Sequence, residues 1–209
     1  MVENLSLIAY ESIKKQLLTG TLDEAGALNV SNIARELGIS RTPVKEAMIR
    51  LASEDLVVNV PNKGFVIQHM TTKKATDLLS FFMAFELFAI DQIRLLDLQV
   101  DIAALEQFMK LEEKYIEQKD YYELFRNNYH FHINIIDTLD NHELTTIYSA
   151  YADKTIRMGF ASRQNKENLN MMHQEHLYIL NDLKNKDYEN ATKHVRLHTE
   201  KAKTRLIII

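Results

Sequence analysis

Eight histidines and no cysteine set the chemistry open to this chain. At about 100° per helical residue, three histidines fall inside apolar stripes. His132 lies in the middle of Phe125, Tyr129, Ile133, Ile136 and Leu139, with Asn128 one turn earlier at the stripe's edge. His176 is central among Leu169, Met172, Leu177, Leu180 and Leu183, and His198 falls within Tyr188, Ala191, Val195, Ala202 and Leu206. A single imidazole on such a stripe is usually a hydrogen-bonded core residue. Three of them on three helices of one bundle would desolvate together, and a shared cation satisfies all three. Spacing alone leaves both readings open, a metal centre and a polar hydrogen-bonded pocket. Without cysteine, disulfides and thiolate metal sites are excluded. Imidazole ligands favour late first-row ions, zinc or nickel, over calcium or magnesium. Of the other histidines, His69 and His142 read as connection residues, His130 as outward-facing, and His173 and His194 as neighbours of the cluster.

The elements that carry these residues are helical. Five glycines and two prolines are present, and everything after Met70 reads as helix. Thr71-Thr72 caps a helix from Lys73 to Leu96, and Asp101 caps one to Gln118. Asp120 precedes a helix to about Leu139, which Asp140-Asn141 breaks. Leu144 to Ala161, Leu169 to Leu183 and Tyr188 to about Leu206 complete six, with Gln164 to Asn168 as a loop. Short connections between amphipathic helices imply an antiparallel bundle. The terminal Ile207-Ile208-Ile209 is expected to pack on something.

The amino-terminal third carries a different pattern. Between Asn29 and Gln68, a short helix (Val30 to Leu37) stops at Gly38. Ser40 then precedes a second helix, Thr42 to about Glu54, with Pro43 in its first turn. Val44, Ala47, Met48 and Leu51 give it one apolar face, while Arg41 and Lys45 lie on another. Arg50, four residues after Glu46, reads as an intrahelical ion pair. Leu56 to Val60 and Phe65 to Gln68 are β-rich runs joined by Pro61-Asn62-Lys63-Gly64, a hairpin. Two helices, a tight turn and a hairpin place a helix in the major groove of DNA. The fold class is therefore mostly α: a winged helix-turn-helix (residues 1–70) followed by an antiparallel all-helical bundle (71–209).

Charge qualifies this reading. Residues 1–70 hold seven Lys/Arg against eight Asp/Glu, so the usual basic footprint of a DNA-binding domain is missing. Positive charge is local: Arg41, Lys45 and Arg50 on the second helix and Lys63 in the wing. Few phosphate contacts per subunit require a dimer on a palindromic site. No stretch approaches a membrane span, and the start lacks the pattern of a signal peptide, so the expected location is the cytoplasm.

The run SRTPVKEAMIRLASEDLV, followed by NKGFVI, resembles the amino-terminal domain of the GntR family of bacterial transcription regulators. Residues 13–22, with LLTG, are similar to that family's first helix. The resemblance implies contacts to DNA from Ser40, Arg41, Thr42, Lys45, Lys63 and Gly64. Where the family usually has arginine, this chain has Lys45, which binds phosphate but lacks the fork that reads guanine.

The bundle is similar to the FCD domain of the FadR branch, in the shorter, six-helix VanR-like form. The segments KDYYELFRNNYHFHINIID with DNHEL, and HQEHLYILNDLKNKDYENATKHVRLH, carry this likeness. It implies a divalent metal on Asn128, His132, His176 and His198, with Asn128 standing where the family has aspartate. It also implies a small-molecule effector, expected to be a carboxylate. Family members often place an arginine one turn before a glutamate that looks like Glu86, and Phe82 occupies that position here. The pocket would then draw on Phe82, Glu86, Tyr148 and Tyr151, with Lys154 as a further donor; both tyrosines also suit plain core packing. Arg157 and Arg163 fall outside the stripe of their helix. The resulting expectation is a homodimeric repressor of a metabolic operon, not an enzyme. Two alternatives stand beside it. One is a three-histidine metalloenzyme, against which the neighbouring acids Asp137, Glu175 and Glu200 read as lying off the stripes. The other is a regulator with a purely structural metal or polar cluster.

Overall fold

A computed structural model describes residues 4–22, 26–68, 70–162 and 166–207. The chain divides into two compact units, residues 1–69 and 70–209. His69, Arg163, the Gln164-Asn165 part of the expected loop and the final isoleucine side chains lie outside the described residues.

In the first unit, α1 (Leu5–Thr19) packs on α3 (Arg41–Ser53), with α2 (Val30–Glu36) beside α3. Helix α1 buries Ala9, Tyr10, Ile13, Leu17 and Leu18, and α3 buries Val44, Ala47, Met48 and Leu51, the apolar line that the heptad-like spacing gives it. Asn29 caps α2 by accepting from the amides of Ser31 and Asn32. Gly38 takes the left-handed conformation (φ 66°) that turns the chain between α2 and α3. Antiparallel strands β1 (Val57–Val60) and β2 (Gly64–Ile67) form the wing, in the register Val60 opposite Gly64 and Val57 opposite Ile67. Gly64 thus belongs to β2, and the turn is Pro61-Asn62-Lys63 alone. A bridge from Ala27 to Val66 ties the wing to the segment ahead of α2.

The second unit is a bundle of seven helices among the described residues: α4 (Thr72–Leu96), α5 (Ile102–Gln118), α6 (Tyr121–Asp137), α7 (His142–Ser149), α8 (Ala152–Ser162), α9 (Lys166–Lys184) and α10 (Tyr188–Ile207). Thr71, Asp101, Asp120 and Asn141 each accept a backbone amide of the first turn that follows. Two expectations are corrected. The single helix over 144–161 is two, separated at Ala150-Tyr151. Lys166 to Asn168 are helical, not loop, because α9 starts a turn early. Helix α10 packs on α4 and α9, and α5 on α6 and α9, which brings α4, α5, α6, α9 and α10 around one interior.

Candidate metal centre and DNA-reading face

The three histidines of the apolar stripes meet in that interior. His132 on α6, His176 on α9 and His198 on α10 are 6%, 0% and 9% exposed. Their ring centroids lie 4.6–5.2 Å apart. One nitrogen from each falls within 4.8 Å of the other two.

What orients them is a set of three buried carboxylates. His132 Nδ1 bonds Glu86 of α4 at 3.0 Å. His176 Nδ1 bonds Glu112 of α5 at 2.9 Å, and His198 Nδ1 bonds Glu175 of α9 at 2.9 Å. A carboxylate only accepts, so each Nδ1 carries a proton, and in the neutral imidazole Nε2 then keeps its lone pair. That is the tautomer a metal ligand needs. Arg205 of α10 grips Glu175 with two nitrogens, at 3.0 and 2.9 Å. Glu112 also accepts from His173 Nδ1 at 2.9 Å.

The electrostatics follow from the burial. Burial alone would raise Glu112, but His176 and His173 hold its carboxyl down at about 2. Burial opposes ionisation of Glu175 too, and the bonds from His198 and Arg205 bring it down to about 2. Burial favours neutral His132, yet the Glu86 carboxylate outweighs it and raises the imidazole. His198 is pushed down to about 3 by burial, with His176 and His132 adding to the effect against Glu175. Three carboxylates set against the Arg205 guanidinium and the Lys201 ammonium, 3.6 Å from Glu175, leave one negative charge when the imidazoles are neutral. The donor set fits a divalent cation in type and tautomer, in a site of net negative charge.

Asn128 is half-buried on α6, with Nδ2 3.3 Å from His176 Nε2 and 3.7 Å from Met172 Sδ. Its amide therefore sits against the nitrogen that a metal would use. Rotating the amide by half a turn exchanges its nitrogen for its oxygen. A cavity of about 90 Å³ opens beside the cluster, lined by Phe82, Glu86, Asn128, His132, Tyr148, His198 and Arg205 among others.

Two residues of the expected pocket lie elsewhere. Tyr151 is not among the lining residues; its ring packs 5.0 Å from Phe81. Lys154 lies over the Tyr151 ring at 4.9 Å and does not line the cavity either. Glu86 lines the cavity and is also the orienting partner of His132. Glu175, read as off its stripe, is 6% exposed and holds His198. Sequence reasoning missed Glu112 and Arg205 altogether. His194 belongs to another neighbourhood, bonded to Asp182 and stacked on Tyr178. His173 does sit next to the cluster, through Glu112.

On α3, Arg41, Thr42, Lys45 and Glu46 are exposed on the side away from the unit's core. Ser40 occupies the N-cap but makes no side-chain capping bond, which leaves its hydroxyl to other partners. Lys63 and Gly64 are exposed at the wing tip. Arg50 pairs with Glu54 at 3.5 Å, not with Glu46, and its guanidinium lies 3.7 Å from the Tyr10 ring centre. Tyr10 in turn donates to Glu54 at 2.8 Å. Arg50 is thus part of the α1–α3 contact.

Comparison with known proteins agrees with both units. Residues 5–67 match the bacterial regulatory proteins of the gntR family, and residues 77–201 match the FCD domain. The HTH-type transcriptional regulator YdhC of Bacillus subtilis is 25% identical over 190 residues, spanning 90% of this chain and 85% of that protein. The gluconate operon transcriptional repressor of Bacillus subtilis is 25% identical over 68% of this chain and 58% of its own length. Solved structures share the fold. A transcriptional regulator from Rhodococcus superposes with a TM-score of 0.82 at 15% identity, covering 97% of each chain. Escherichia coli McbR/YncC gives 0.74 at 24%, covering 99% of this chain and 98% of its own. No described helix is long and apolar enough to cross a membrane. With one family model over its winged unit and another over most of its bundle, the chain belongs to the GntR family of transcriptional regulators, in the branch that carries an FCD domain.

Proposed function

We propose that this regulator is a homodimeric, cytoplasmic repressor whose bundle senses a small carboxylate at a divalent metal centre. The observation that carries the reading is the threefold pairing of His132, His176 and His198 with Glu86, Glu112 and Glu175. It brings one nitrogen from each imidazole within 4.8 Å of the other two and leaves a net negative charge around them for a cation to offset. Zinc or nickel suits the nitrogen donors. Such an ion would supply a Lewis-acidic position for a ligand oxygen. His132, His176 and His198 would hold it, and the Asn128 amide oxygen would be a weak, uncharged fourth donor. The sign of regulation is carried over from the relative named as a gluconate operon repressor.

In the winged unit, Ser40, Arg41, Thr42 and Lys45 enter the major groove, and Lys63 with Gly64 contacts the adjoining backbone. Few basic residues per subunit make a two-fold site necessary. The effector lies in the cavity beside Phe82, Glu86 and Tyr148. It acts only through a difference in its affinity for the DNA-bound and released arrangements. Operator affinity with metal-free and zinc-loaded protein, each with and without a panel of small carboxylates, tests the reading. Loss of operator affinity only with zinc and one carboxylate together supports it. Affinity indifferent to every combination contradicts it.

A further inference from the structure

The exposed side of α3 is polar or charged at Arg41, Thr42, Lys45, Glu46, Arg50 and Ser53, but it includes one large aliphatic residue. Ile49 is 62% exposed. It lies on the outward line with Thr42 and Ser53, opposite the buried Val44, Ala47, Met48 and Leu51. Arg41, Lys45 and Ile49 also follow one another at four-residue intervals, so Ile49 continues the ridge that begins with the two cations. A lone exposed isoleucine needs no explanation on an ordinary surface. On the face that a GntR regulator presents to DNA, its surroundings are known chemistry. The major-groove floor offers donors, acceptors and one apolar group, the thymine C5-methyl. An isoleucine makes no hydrogen bond, so opposite any other base edge it would strip water from a polar group without replacing the bond.

We infer that Ile49 is a specificity residue that reads a thymine methyl in each half-site. Ile49 lies about 12 Å along the helix from Arg41, and so meets a different base pair of the same half-site. Arg41 and Lys45 hold the ridge against DNA, and Ile49 selects by apolar contact. This rests on α3 being the reading helix of the proposed function.

The test uses the full-length protein. Binding sites are selected from a random duplex library with wild type, Ile49→Ala and Ile49→Gln, and each thymine of the wild-type site is then replaced singly by deoxyuridine. The inference predicts one thymine per half-site whose methyl removal weakens wild type about fourfold, the worth of one buried methyl group at about 0.8 kcal/mol. Ile49→Ala should be indifferent to that replacement and should lose the thymine preference there, with the rest of the site kept. Ile49→Gln should shift the preference toward adenine. If wild type and Ile49→Ala respond equally to deoxyuridine at every position, the inference is wrong while the DNA-reading role of α3 stands. If wild type selects no site at all, that role itself fails.

Discussion

Glu112 accepts the Nδ1–H of His176 at 2.9 Å, and its carboxylate is itself 1% exposed. The bond spans 64 residues of sequence and pins the imidazole by its far side, so that its Nε2 faces His132, His198 and Asn128. The metal proposal depends on this orientation more than on the presence of three histidines.

Glu112→Gln should therefore reduce zinc retention about 10- to 100-fold, the usual cost of losing the partner of a ligating imidazole. The amide oxygen still accepts a hydrogen bond from one of the two imidazoles, so the fold should survive. Competition with a chelator, alongside circular dichroism, measures both. Unchanged retention would separate Glu112 from the site.

Asn128→Asp should tighten retention, since a charged oxygen replaces a neutral one beside His176 Nε2. Added acetate should strengthen zinc binding in wild type more than in Asn128→Asp, because the variant already carries the missing charge. Calorimetric titration with zinc, with and without acetate, gives the comparison. Equal zinc affinity in the two proteins would remove Asn128 from the ligand set.

The folds of both units were largely legible in the sequence, for local reasons. Caps at Thr71, Asp101 and Asp120 and the apolar period of α3 and α6 are encoded within a few residues. The break between α7 and α8 was not legible, since Ala150-Tyr151 contains neither glycine nor proline. The histidine cluster was legible because an imidazole on an apolar stripe is conspicuous. Two of its three carboxylates were not. Glu112 and Glu175 sit among many surface acids of the same type, and only contacts across helices single them out. Arg205 was hidden in the same way, one basic residue among many until Glu175 is placed beside it.

Acid should expose the Glu175 clasp. Its folded carboxyl is held at about 2, below the ordinary 4.5, so its stabilisation is complete above 4.5 and is lost as pH falls through about 2. Metal-free wild type should lose thermal stability more steeply over that window than Glu175→Gln, whose side chain does not titrate. Parallel melting curves from pH 4.5 to 2 would contradict the assignment.

Arg41→Ala should cost about 1–3 kcal/mol in specific operator binding. Arg50→Ala should cost much less there, and instead lower the melting point of the winged unit, because Arg50 stacks on Tyr10 and pairs with Glu54. A gel-shift series paired with thermal melts distinguishes them. Equal losses of operator affinity would refute the division of roles.

The central claim is that His132, His176 and His198 hold one divalent ion. Its most direct measurement is metal content per protomer after mild chelation and reloading with zinc, on wild type and His176→Ala, with the melting temperature recorded for each. The account predicts one zinc per wild-type protomer. It predicts little or none for His176→Ala, and a lower melting temperature because Glu112 and the two remaining imidazoles lose their common partner. A wild type that never retains metal, together with a His176→Ala variant of unchanged stability, would show the cluster to be polar core packing alone.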